Sequence, residues 1–211
     1  RFCAAAKASA TVSAAEIDAF WNAAVTSIPL QGDWFPRVEL HSTGRLVVRL
    51  RSAPQRSRSA VLATFDGPDP RTTPRTKGPD LEGMLAARTS VKAHGASEAV
   101  LLKDGLVVEG AYSGLLWWRG EILCGPPAHF DRVDSVTSRS VLTLATALGY
   151  DTLEEAVTPS ELDGTELWVL SALHGIRIAT GWVAGPDLAE KPGRLGSWRS
   201  RLDALRRPIA G

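Results

Sequence analysis

The chain has 211 residues, is 44% hydrophobic and carries a formal net charge of +1. That balance gives no electrostatic case for nucleic acid or an anionic membrane as partner, no apolar run approaches the ~20 residues that span a bilayer, and no secretory leader is visible. Cys3 and Cys124 form no disulfide framework and suit a reducing compartment, so a cytoplasmic protein of one large or two small domains is expected.

Ala4 to Ala10 are good helix formers, and Ser13 can cap a second helix with Ile17, Phe20, Trp21 and Val25 on one face. Arg1-Phe2-Cys3 enters this stretch without an initiator methionine, so the chain is expected to begin inside a domain. Val38–Leu40 and Leu46–Leu50 read as strands about a Ser42-Thr43-Gly44 turn, and Val61–Phe65 as another. The polar, proline-rich run from Asp66 to Pro74 reads as a linker. The expected division is a small N-terminal domain over 1–66, a linker over 67–76 and a large C-terminal domain over 77–211.

Beyond the linker, Leu81, Met84, Leu85 and Val91 mark a helix from about Asp80 to His94, stopped by Gly95. Ala99–Leu102 and Leu106–Glu109 form a hairpin about Lys103-Asp104-Gly105, and Leu115–Trp118 and Glu121–Cys124 a second. A helix from about Val136 to Leu148 follows, with Val141, Leu144, Ala145 and Leu148 at helical spacing. Leu153–Val157 is a short strand and Ser160–Leu162 a short helical turn. Leu167–Leu170 and Ile176–Val183 complete the sheet, and Ser197 caps a closing helix to Leu205. Mixed strands and helices in two parts predict a two-domain α/β or α+β protein.

Few residues could carry chemistry. Lys77 lies in Thr76-Lys77-Gly78-Pro79-Asp80, just ahead of a helix, and is one of only five lysines. Glu109 ends the run Leu106-Val107-Val108 and is followed by the small, turn-forming Gly110-Ala111-Tyr112-Ser113-Gly114. A lysine able to form a Schiff base and a carboxylate able to hold a pyridinium nitrogen are the minimum protein equipment for pyridoxal 5'-phosphate chemistry. Ser135-Val136-Thr137 opens a helix, whose first N–H groups make a phosphate site. Each position also has an ordinary use: an exposed lysine, a solvated strand-end glutamate, a helix cap. His41, His94, His129 and His174 lack metal-ligand spacing, so no metal site is expected.

Taken together these segments resemble the class IV aminotransferases, the fold-type IV pyridoxal 5'-phosphate enzymes that include branched-chain aminotransferase and 4-amino-4-deoxychorismate lyase. The resemblance rests on Lys77-Gly78-Pro79-Asp80, Ala96–Leu102, Val107-Val108-Glu109-Gly110 with Leu115-Leu116, Ser135-Val136-Thr137 through Gly149, Leu162–Leu167, and Ser171-Ala172-Leu173. It implies Lys77 as the Schiff-base lysine and proton shuttle, Glu109 on the pyridine nitrogen, and the N–H groups of Val136 and Thr137 on the phosphate. Ser171 and Ala172 match a later phosphate-side turn, and Arg1 a phosphate-gripping arginine of a first domain that lacks its first strands here. Arg37 falls where the family places an arginine near the substrate carboxylate; an ordinary surface-strand arginine is the other reading. An amino substrate and a homodimer are implied as well.

Four positions depart from the family pattern. The tyrosine that follows the lysine is replaced by Asp80-Leu81-Glu82, an asparagine by Gly114, an arginine by Ser138, with Arg139 one place late, and a threonine by Ala172. The first and last sit nearer the aminodeoxychorismate lyases. Together the losses also allow a catalytically degenerate homologue with a binding or scaffold role.

Overall fold

The computed structural model describes residues 1–9 and 11–207, so Ala10 of the expected first helix lies outside the described residues, as do residues 208–211. The chain divides into two compact units, one over Arg1–Arg56 and the other over Ser57–Arg206.

In the first unit, helix α1 (Phe2–Ala8) is followed by α2 (Ala14–Thr26). Ser13 caps α2 in a full capping box with Glu16, and Lys7 pairs with Asp18 between the two helices. Phe2 lies against Phe20 and Trp21. Strands β1 (Arg37–Leu40) and β2 (Leu46–Arg49) form the antiparallel hairpin expected from the sequence.

The second unit is built on one eight-stranded mixed sheet. Its elements are β3 (Ser59–Thr64), α3 (Leu81–Lys92), β4 (Glu98–Lys103), β5 (Leu106–Gly110), β6 (Gly114–Arg119), β7 (Ile122–Gly125), α4 (Val136–Ala147), β8 (Thr152–Glu154), a 3-10 turn (Pro159–Leu162), β9 (Glu166–Ser171), β10 (Gly175–Val183) and α5 (Arg194–Ala204). The strand order is β5-β4-β3-β10-β9-β6-β7-β8. Val107 of β5 donates its N–H to the carbonyl of Val157, just past β8 at the other edge, so the sheet curls back on itself. The β4–β5 turn is tight because Asp104 and Gly105 both take positive φ, at 53° and 78°.

Alternation along the strands separates two apolar layers. Leu115, Trp117, Leu167 and Val169 join Leu62, Val100 and Val107 in one cluster. Leu116, Trp118, Trp168 and Leu170 face the other way and pack with Val141 and Ala145 of α4 and Leu195 and Trp198 of α5. There Trp118 meets Trp168, Trp198 and Tyr150 at ring separations of 5.3–5.5 Å. A third cluster sets Met84 and Val91 of α3 against Ala99 and Leu101.

The compact units divide between Arg56 and Ser57. β3 runs parallel to both β4 and β10 and carries fully buried Leu62, so 57–66 belong with the large sheet and the proline-rich stretch lies inside the second unit. One sequence expectation, the start of the closing helix, is corrected. The helix starts at Arg194 behind Gly193, which holds φ 81°, so Ser197 is inside it and is not its cap. Arg194 fixes that start by stacking on Trp118 at 4.2 Å and pairing with Glu121 at 2.8 Å.

Candidate active site

The stretch read as a linker is an organised loop. Thr72 and Thr73 each give their backbone N–H and hydroxyl to the Asp80 carboxylate, at 2.7–3.1 Å. Burial pushes that carboxyl up, but the four donors outweigh it and hold Asp80 at about 2. Asp80 stands at the N-cap of α3 without capping it, because its oxygens are engaged by the loop. Lys77 sits inside this closure, beside Gly78, whose φ of 138° suits a residue without a side chain. Asp80→Asn keeps one acceptor oxygen and turns the other into a donor. It should cost about 1 kcal/mol and speed protease nicking between 70 and 80. The carboxylate's contribution is present above its ordinary range near pH 4 and is lost as pH falls through 2, so the two proteins should converge in urea midpoint in strong acid.

Lys77 is exposed, and its Nζ lies 5.8 Å from the centre of the Tyr112 ring. Arg88 approaches the same ring at 5.4 Å. Glu109, at the end of β5, is 5% exposed. Its Oε1 accepts from Nη1 of Arg71, in close contact, and from the Val133 N–H at 3.2 Å. Both donors fall on one oxygen. Burial drives the Glu109 carboxyl up to about 7, against the pull of Arg71, the Val133 N–H, Lys77 and Arg132. The structure therefore brings Lys77 and Glu109 within electrostatic reach of each other. It adds Arg71, Tyr112, Arg132 and Val133, which the sequence did not single out. Asp131 anchors the loop carrying Arg132 and Val133, binding Arg75 at 3.2 Å and Lys103 at 3.0 Å.

A second buried acid shapes the turn after Glu109. Glu98 accepts from the Tyr112 N–H at 3.2 Å, the Ser113 hydroxyl at 2.9 Å and Nη2 of Arg177 at 3.4 Å. A side chain at Gly110 would meet Ser113 Oγ at 2.4 Å and Glu98 Cγ at 3.1 Å, so glycine lets the turn close. Glu98 and Arg177 are 1% and 4% exposed, and burial draws the Arg177 guanidinium below its usual value despite Glu98. Glu98→Gln keeps an acceptor for Ser113 but leaves the arginine charge uncompensated. It should destabilise by about 2 kcal/mol, read from the urea midpoint.

At the start of α4 the Ser135 hydroxyl accepts from the Ser138 N–H at 3.2 Å. The N–H groups of Val136 and Thr137, at the first two helical positions, have no intrahelical partner. A side chain at Gly114 would strike Ser138 Oγ at 2.4 Å and Ser135 at 3.3 Å. The helix start thus fills the room an asparagine side chain would need there.

The Ser171-Ala172 turn is placed by contacts of its own. Ser171 Oγ accepts from the His174 N–H, His174 Nδ1 accepts from the Ser57 N–H at 3.1 Å, and Arg199 donates to the His174 carbonyl. Arg1 and Arg37 belong to the first unit. Arg1 precedes α1; Arg37 opens β1 and pairs with Glu39 at 2.5 Å, on a carboxylate that Arg49 and His41 also approach. Arg37 is exposed on β1.

The family model of the class IV amino-transferases matches residues 22–182. No curated protein matches the chain. Among solved structures, the chain is similar to a candidate 4-amino-4-deoxychorismate lyase from Legionella pneumophila, at 14% identity and TM-score 0.68, covering 75% of this chain and 60% of that one. It is similar to a hypothetical aminotransferase from Mycobacterium tuberculosis in its PLP-bound form, at 20% identity and TM-score 0.62, covering 74% and 60%. A fold IV-transaminase from Curtobacterium pusillum matches at 16% identity and TM-score 0.64, covering 75% and 59%. These are likenesses of fold. The chain spans 59–60% of the length of these solved chains. Among the described residues no helix is long and apolar enough to cross a membrane.

Proposed function

The chain belongs to the amino-transferase class IV family, and on that premise we propose that it is a pyridoxal 5'-phosphate enzyme acting on an amino acid or an amino-chorismate, as an aminotransferase or an aminodeoxychorismate lyase. The observation that supports this reading is the buried Glu109, which feels the charge of Lys77 and whose carboxyl lies near neutrality, with Oε1 taking the donors from Arg71 and Val133. The donor set fits the cofactor: an amine on an ordered loop, an acid for a ring nitrogen, and two helix N–H groups without internal partners for a phosphate.

When bound, the cofactor supplies an electron sink for negative charge at the substrate α-carbon. Lys77 is the residue proposed to hold it covalently, and then to take and return the proton at that carbon. Glu109 would hold a proton on the ring nitrogen. The N–H groups of Val136 and Thr137 would bind the phosphate, with the Ser171-Ala172 turn and Arg1 proposed as further phosphate contacts. Arg37 is proposed at the substrate carboxylate, and the working form as a homodimer.

Full-length protein mixed with pyridoxal 5'-phosphate should develop an absorbance band near ~410–430 nm. Borohydride should then fix a phosphopyridoxyl group on the peptide containing Lys77. A band that never forms, or one fixed to another lysine, would sink this reading and leave a catalytically degenerate fold with a binding role.

A further inference from the structure

Glu109 is held by a residue from the proline-rich stretch. The Arg71 side chain is 3% exposed. One edge of its guanidinium is clamped by Asp69, with Nε on Oδ1 at 2.8 Å and Nη2 on Oδ2 at 2.7 Å. That bidentate grip fixes the plane of the group and turns Nη1 toward Glu109 Oε1. Burial draws the Arg71 guanidinium down, and the Asp69 and Glu109 carboxylates more than offset it.

We propose that Arg71 is a positioning residue that clamps Oε1 of Glu109, so that the carboxylate stays charged and Oε2 is left to accept the ring N–H of the cofactor. This role rests on the cofactor chemistry proposed above. A buried carboxylate without a counter-charge reverts to the neutral acid, and a neutral acid cannot balance a protonated ring nitrogen. Three cations face Glu109: Arg71 and Lys77 from the loop ahead of α3, and Arg132 from the loop ahead of α4. Asp69 and Asp131 act in turn on Arg71. Arg71 is in hydrogen-bonded contact with the carboxylate, whereas Arg132 turns Nη2 to the Pro126 carbonyl at 3.0 Å. A lysine at 71 would keep the charge but lose the planar fork that Asp69 orients.

Arg71→Met and Arg71→Lys in the full-length protein test this with two readouts. The first uses cofactor-free protein and follows the carboxylic-acid infrared band with pH, assigned to Glu109 by its loss in Glu109→Gln. Arg71→Met should raise the midpoint of that band by about one to two pH units, and Arg71→Lys should raise it less. The second is the affinity for pyridoxal 5'-phosphate, expected to fall about tenfold in Arg71→Met and less in Arg71→Lys. Arg71→Lys also keeps both readouts available where Arg71→Met does not fold. If wild type binds the cofactor on Lys77 but either the midpoint or the affinity is unmoved by both variants, the role of Arg71 is overturned and the functional reading stands. If wild type never holds the cofactor on Lys77, the functional reading fails and takes this role with it, even where the infrared midpoint moves.

Discussion

Lys77→Ala should lower turnover by about a thousandfold or more while leaving the fold intact. The side chain is exposed and lies over the Tyr112 ring, and an exposed lysine contributes little to stability, so its removal should cost under about 1 kcal/mol. A large loss of activity with an unchanged urea midpoint separates a chemical role from a structural one. Lys77→Arg sharpens the test. Arginine keeps the positive charge near Glu109 but stays protonated and forms no covalent link to a carbonyl. If Lys77 serves only as a charge, Lys77→Arg retains most activity. If it serves as nucleophile and proton carrier, both variants are equally inactive, and a small primary amine added to Lys77→Ala restores part of the rate. A Lys77→Arg protein that turns over like wild type would rule out the covalent role.

The elements most legible in the sequence are those whose signals are local. The α4 helix is expected from about Val136 to Leu148 and spans Val136–Ala147, because its apolar spacing and Ser135 cap lie within one short window. The Asp104-Gly105 hairpin is legible for the same reason. The pairing of β3 is not. β3 reads as a strand, but its parallel neighbours lie more than thirty residues away in β4 and more than a hundred away in β10, and no local pattern reports such pairing. The candidate site divides along the same line. Lys77 and Glu109 stand out because a lysine ahead of a helix and an acid at a strand end have recognisable settings. Arg71 does not: in Asp69-Pro70-Arg71-Thr72 it looks like one more polar loop residue, and only the closure of the loop on Asp80 accompanies its burial against Glu109. The polar residues that suggested a tether are the ones whose hydrogen bonds fold the loop inward.

Glu109→Gln is the substitution in which stability and chemistry should move in opposite directions. The Glu109 carboxyl sits at about 7 in the folded protein, against an ordinary value of 4.5. Between those limits the folded state binds more protons than the unfolded chain, so this residue's contribution to stability falls as pH rises from 4.5 to 7 and stays low above that. The full cost is about 3 kcal/mol at neutral to alkaline pH. Glutamine never ionises, so it escapes that cost. In cofactor-free protein the urea-melt stability of Glu109→Gln relative to wild type should therefore rise by about 3 kcal/mol between about pH 4 and pH 8. A difference that stays flat across this range would mean that burial does not perturb Glu109. The chemistry should go the other way. The amide oxygen of a glutamine at 109 can take over the donors from Arg71 and Val133 at the Oε1 position. Its NH₂ group would then stand where Oε2 was, a donor at the position where the proposed role needs an acceptor for the ring N–H. Without an acceptor there the proposed support for a protonated ring nitrogen goes, and turnover should drop by about a hundredfold or more. If both changes are seen, the buried charge costs the folded chain stability in the same place where the proposed chemistry needs it.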